Sequence, residues 1–115
     1  MVEIIWEYKV RDQSRGQFEL AFGPGGAWSR IFAGAPGFRG ITLLRDIGEM
    51  GRYLAIELWN SESDRDNSIS EDNLDYVDLM TNFESWIKSK VQVGIFRVLA
   101  EATIRPKAKF GRRKI

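Results

Sequence analysis

The sequence has neither cysteine nor histidine among its 115 residues. The first absence excludes disulfides and thiol chemistry and fits a reducing, cytoplasmic setting. Together they remove ordinary zinc sites, which draw on those two side chains, so no metal site is expected. No apolar run approaches the length of a membrane-spanning helix. The N-terminus enters strand-like sequence with no basic segment before an apolar one, so no signal peptide is expected. Proline is scarce, at three residues, and two of them (Pro24 and Pro36) punctuate candidate elements.

What is present is an ordinary globular composition, 43% hydrophobic and 29% charged. A single domain over residues 1–104 is expected, and such a chain buries roughly two-thirds of its unfolded surface. The net charge of +1 hides an asymmetry. Residues 105–115 hold six of the 17 basic groups and no acid, which leaves 11 basic against 16 acidic groups and a body near −5. A basic tail on an acidic body is one route to nucleic acid. Here the body has no basic stripe and the tail a single aromatic, Phe110, so a solvated terminus is the expected reading and nucleic acid is not expected as a partner.

Hydrophobic periodicity orders the chain. Val2, Ile4, Trp6, Tyr8 and Val10 alternate with polar residues, as a strand with one buried face requires. Phe18, Ala21 and Phe22 lie on a helix that Gly23-Pro24-Gly25-Gly26 interrupts; Trp28, Ile31 and Phe32 resume it. That interruption is a candidate hinge at a cavity mouth. Pro36-Gly37 stops the helix. Phe38–Arg45 and Arg52–Asn60 are apolar-rich segments around a glycine-marked turn, which predicts a hairpin. Ser61 with Asp64, and Ser68 with Glu71, resemble capping boxes, so a short helix followed by a longer one is expected. Tyr76, Leu79, Met80, Phe83, Trp86 and Ile87 fall at helical spacing. Residues 91–104 read as a last strand with apolar side chains on both faces and a bulge or close approach at Gly94.

The order β-α-β-β-α-β predicts an α+β, ferredoxin-like domain with a four-stranded antiparallel sheet. Two helices cover one sheet face. In the hairpin, Leu54, Ile56 and Leu58 line one face; Tyr53, Ala55, Glu57 and Trp59 line the other. A second apolar face of this kind implies sheet-on-sheet packing in a homodimer. Whether Glu57 and Trp59 face the cavity or the dimer seam is open at this stage.

Five segments, FGPGGAWSRIF, PGFRGITLLRD, YLAIELWNS, Tyr76 and VGIF, occur in an order that resembles the antibiotic biosynthesis monooxygenase-like group of dimeric α/β-barrel proteins. The resemblance spans nearly the whole chain. It implies a sheet-to-sheet dimer closing into an α/β barrel, with a cavity for a small apolar or aromatic ligand between sheet and helices. It also implies a monooxygenase that needs no cofactor and oxidises an aromatic, polyketide-like or quinol substrate. The family's haem enzymes use a histidine ligand that this chain lacks; Tyr76 lies in that region, and tyrosine is an alternative haem ligand.

Trp59 matches the family's strand-terminal tryptophan, as a wall for an aromatic substrate or as a buried core ring. Cofactor-free oxidation needs a base or a polarising donor in a dry pocket. Glu57, Tyr76 and Asn60 join Trp59 as candidate catalytic residues, and Tyr8, Trp28, Tyr53 and Arg39 are candidate substrate contacts. For Glu57 the competing reading is an ion pair with Arg39, Arg45 or Arg97. Asp64, Asp66, Ser68, Ser70, Asp72 and Asp75 have the spacing of a calcium loop, but Ile69 replaces its glycine and Asp75 its bidentate glutamate, so helix capping explains them better. The alternative to an oxygenase is a non-catalytic dimeric protein that binds a small ligand or acts in a stress-related accessory role.

Overall fold

The computed structural model describes residues 1–69 and 74–104. A four-stranded antiparallel sheet has the order β2-β3-β1-β4, the ferredoxin-like arrangement. Its strands are β1 (Val2–Val10), β2 (Phe38–Arg45), β3 (Arg52–Trp59) and β4 (Ile87–Arg97). A 3-10 turn at Asp12–Ser14 leads into α1 (Arg15–Phe22), and α2 (Ala27–Phe32) follows after Gly26, so the predicted break at Pro24 is real. Ser61 caps α3 (Glu62–Ser68) by accepting from the Asp64 N–H. The second proposed capping box and the basic tail lie outside the described residues, in whole or in part. The longest helix, α4 (Leu74–Trp86), runs straight into β4. No helix among the described residues is long and apolar enough to cross a membrane.

Aromatic side chains fill the layer between sheet and helices. Trp59 and Phe18 are fully buried, and Tyr53, Phe32 and Phe83 nearly so. Phe18 meets Tyr8, Tyr53, Phe22 and Phe83 at centroid distances of 4.8–5.5 Å, within the range where tilted and edge contacts are attractive. On β3 burial alternates strictly, with Tyr53, Ala55, Glu57 and Trp59 all beneath the helices. Gly37 has φ +84°, a conformation that suits glycine, and it meets α3 closely: a Cβ there would sit 2.2 Å from Asp64 Oδ2.

β4 departs from its expected reading. It starts four residues earlier than the predicted segment and ends at Arg97. Its pairing with β1 also slips: Gly94 opposes Ile5 whereas Gln92 opposes Trp6, leaving Val93 as the extra residue of a bulge. The slip reverses parity along the strand. Val91 therefore shares the open face with Phe96, and Lys90 and Gln92 share the helix-side face with Tyr8 and Trp6. Gly94 is a close approach as well, since a Cβ there would lie 2.8 Å from the Phe96 ring.

Register assigns Ile5, Leu54, Ile56, Leu58, Val91 and Phe96 to the face away from the helices. Ion pairs rim one end of it, with Arg52 bonded to Glu7 at 2.8 Å and to Asp46 at 2.9 Å.

Candidate functional site

Among the described residues, one charged side chain is nearly fully buried in the aromatic layer of the helix-side face. Glu57 is 3% exposed, and both of its carboxylate oxygens are engaged. Oε1 accepts from Trp59 Nε1 at 3.0 Å and from Arg65 Nε at 2.7 Å. Oε2 accepts from Trp6 Nε1 at 3.0 Å and from Arg65 at 3.4 Å. Three elements build this knot. Strand alternation turns Glu57 and Trp59 to the same side, β1 brings Trp6 alongside, and the capped α3 aims Arg65 down at the carboxylate. A buried charge needs this compensation, which a fork-shaped guanidinium supplies well. The partner is thus Arg65, not Arg39, Arg45 or Arg97. Register sets Arg45 opposite Tyr53 at the far end of β3, where it pairs with Glu19, and Arg39 donates to Asn60.

Tyr8 and Tyr76 flank the knot. Burial, then the Glu57 charge, raises the Tyr8 phenol well above its ordinary value. Burial is also the main cause of the raised Tyr76 pKa. Both are therefore protonated at neutral pH, donors rather than bases. Lys90 completes the cluster from β4. Its ammonium lies 4.5 Å from the Trp6 ring centroid, and the Arg65 guanidinium lies 5.8 Å from the same ring. Partial desolvation beside the Trp6 ring comes first and Arg65 second in lowering the Lys90 pKa, while the side chain as a whole stays exposed.

The expected site residues thus separate. Glu57, Trp59, Tyr8 and Tyr76 gather at the knot, but the Trp59 ring is enclosed by Phe32 and Phe38 at 5.4 and 5.1 Å and offers the site only its N–H. Trp28 lies in the core, stacked on Phe22 and Phe32, with Tyr76 at its edge 6.2 Å away. Its indole N–H is buried without a hydrogen-bond partner among the described residues. Tyr53 points the other way and donates to Glu19. Asn60 and Arg39 form an exposed pair off the knot.

Sequence reasoning missed Arg65, Lys90 and the role of Trp6. Arg65 carried a signal, as the one basic residue in an acidic, serine-rich segment. Lys90 carried none of its own; the bulge expected at Gly94 falls next to that glycine, at Val93, and its effect on parity reaches back to Lys90. The calcium-like spacing is taken up in part by α3, and no group of three or more acidic residues among those described could hold a metal.

Separate from the knot, a groove of about 410 Å³ runs between α2 and α4, lined by Arg30, Asp75, Asp78, Asn82 and Trp86 among others. Pro24–Gly26 line a second groove beside it, with Leu20 and Trp86. The glycine-proline interruption therefore borders the outside of the helix layer.

A family model for antibiotic biosynthesis monooxygenases matches residues 1–72. Among solved structures, the chain is similar to a mutant of SnoaB, a cofactor-independent oxygenase from Streptomyces nogalater: 20% identity and a TM-score of 0.69, over 87% of this chain and 94% of that one. A putative antibiotic biosynthesis monooxygenase from Caulobacter crescentus CB15 aligns at 18% identity and a TM-score of 0.71, over 86% of this chain and 90% of that one. Another from Nitrosomonas europaea aligns at 16% and 0.69, over 87% and 100%. At these identities the structural likeness speaks to the fold. No functionally curated protein matches.

Proposed function

The chain belongs to the antibiotic biosynthesis monooxygenase family, and on that premise we propose that it is a cofactor-independent monooxygenase of a small, electron-rich aromatic or quinol. The observation that carries this is the knot itself: a desolvated Glu57–Arg65 pair bracketed by Trp6 and Trp59, beside two protonated tyrosines and Lys90. An anthrone-type substrate would lose a proton, pass an electron to O2 and recombine with the resulting superoxide. One oxygen atom becomes a ring carbonyl and the other leaves as water with the two hydrogens of the CH2. The protein's part is to hold the substrate anion beside the desolvated Glu57–Arg65 pair. The apolar outer face, with Leu44, Val91 and Phe96 exposed, supports the further proposal of a sheet-to-sheet homodimer.

The test is oxygen uptake with an anthrone or hydroquinone, in the absence of added metal or flavin. Stoichiometric uptake with one atom of O2 incorporated into the product supports the reading; inertness across such a panel, or quinone formed with release of hydrogen peroxide and no incorporated oxygen, ends it. A second reading, a non-catalytic dimeric binder of small ligands, draws on one observation: Glu57 is fully engaged and so not a free base. A ligand that co-purifies and is returned unchanged under oxygen would favour it.

A further inference from the structure

The Lys90 ammonium has no hydrogen bond or ion pair among the described residues. The face of Trp6 is its contact, at 4.5 Å. The charges around it are unevenly matched. Arg65 spends its hydrogen bonds on Glu57, and Tyr8 and Tyr76 are uncharged. At Lys90 the Arg65 charge outweighs that of Glu57, and Glu84 on α4 acts more weakly than either. The site is short of negative charge at one point, the Lys90 ammonium.

That point is also accessible. Lys90, Gln92 and Ile95 all lie on the helix-side face of β4, and all three are exposed or, for Ile95, 42% exposed. The helices cover β1 and β3 and leave this edge as a shelf. The bulge at Val93 directs Lys90 onto the shelf; without it, regular alternation would turn the side chain to the opposite face.

We propose that Lys90 is the substrate-binding residue for an oxyanion, the ionised phenol or enol of an aromatic ring that lies along the shelf beside Gln92 and Ile95. Trp6 holds the ammonium from one side and leaves its N–H bonds free for the ligand oxygen. This inference rests on the proposed oxidation and names its substrate form. A site whose one carboxylate is committed to Arg65 acquires its substrate as the anion, by lowering the substrate's own pKa with a fixed cation.

The test uses para-nitrophenol, whose phenolate absorbs separately from its phenol, and para-nitroanisole as its neutral counterpart. Charge-assisted hydrogen bonds predict that the wild type binds the phenolate about tenfold to a hundredfold more tightly than the anisole, and less so as salt rises. Lys90→Gln should bring the two to parity, while Lys90→Arg keeps most of the preference. Equal binding of both ligands by the wild type, or an undiminished preference in Lys90→Gln with unchanged circular dichroism, overturns the proposal. Oxygen uptake by the same samples separates the two ideas. A Lys90-dependent phenolate preference without uptake upholds the anion site and sinks the oxidation; uptake whose KM is indifferent to Lys90→Gln does the reverse.

Discussion

Replacing Arg65 by methionine would leave Glu57 with two indole donors and no cation, while its side chain is 4% exposed. An orphaned buried carboxylate costs about 3–5 kcal/mol, a large share of the ~5–15 kcal/mol that holds a domain of this size together. The reverse change, Glu57→Gln, strands less. The Arg65 side chain is 17% exposed and can turn toward water, and the amide oxygen can still accept from an indole, so about 1–3 kcal/mol is expected. The asymmetry of roughly 2 kcal/mol should appear in urea unfolding as a midpoint difference near ~1 M, with slopes unchanged. Combining Arg65→Met with Glu57→Leu removes both charges. That double variant should be more stable than Arg65→Met alone, because the penalty lies in the uncompensated charge and not in the lost contact. All samples need one protein concentration, since dimerisation would add its own stability. Equal costs for the two single changes, or a double variant weaker than Arg65→Met, would refute the argument.

Three further outcomes follow from the same geometry. Burial and the bond to Glu19 push the Tyr53 phenol up to about 12, from an ordinary 10.0. The folded state therefore holds this proton longer than the unfolded one, and stability present below pH 10 is lost as pH climbs toward 12; Tyr53→Phe should flatten that alkaline limb, and an unchanged slope would contradict the assignment. Gly37→Ala puts a Cβ 2.2 Å from Asp64 Oδ2 at a φ of +84°, so a loss of about 1–3 kcal/mol in urea is expected; a loss under about 0.5 kcal/mol would count against the close approach. Under the proposed sheet-to-sheet homodimer, Ile56→Asp, in the middle of the open face, should weaken self-association by about a hundredfold or more, as read by light scattering across a dilution series; an unaltered mass, or a wild type that does not self-associate, would refute that proposal.

The fold was legible because its signals are local. Alternation on β1 and β3, the break at Pro24 and the helical stripe from Tyr76 to Trp86 each depend on residues a few positions apart. The Ser61 cap was legible for the same reason. On β4 the bulge expected at Gly94 is present, but a single alternation was carried through it: with Val93 extra, Val91 and Lys90 exchange the faces that simple alternation gives them. The knot was half legible. Strand parity placed Glu57 with Trp59, but their partners arrive from β1 and α3, 51 and 8 residues away, through tertiary packing alone.

The two halves of the site also divide its chemistry. Glu57 in an apolar strand looks like a base in sequence, and the fold converts it into a counter-ion that fixes Arg65 and two indoles. Such a carboxylate organises the site by accepting from two indoles and from Arg65. The tyrosines, with pKa values raised by burial, are poor bases. Under the proposed oxidation, the Lys90 ammonium, which has no ion pair among the described residues, is the group that promotes substrate ionisation, by electrostatic attraction to the anion. Among a series of phenols of rising pKa, oxygen uptake at fixed pH should therefore decline in wild type once the phenol's pKa exceeds the pH by more than Lys90 can offset. In Lys90→Gln the decline should begin about one to two units earlier, the tenfold to hundredfold loss of anion preference restated. A break at the same phenol in both proteins would mean that some other group removes the proton.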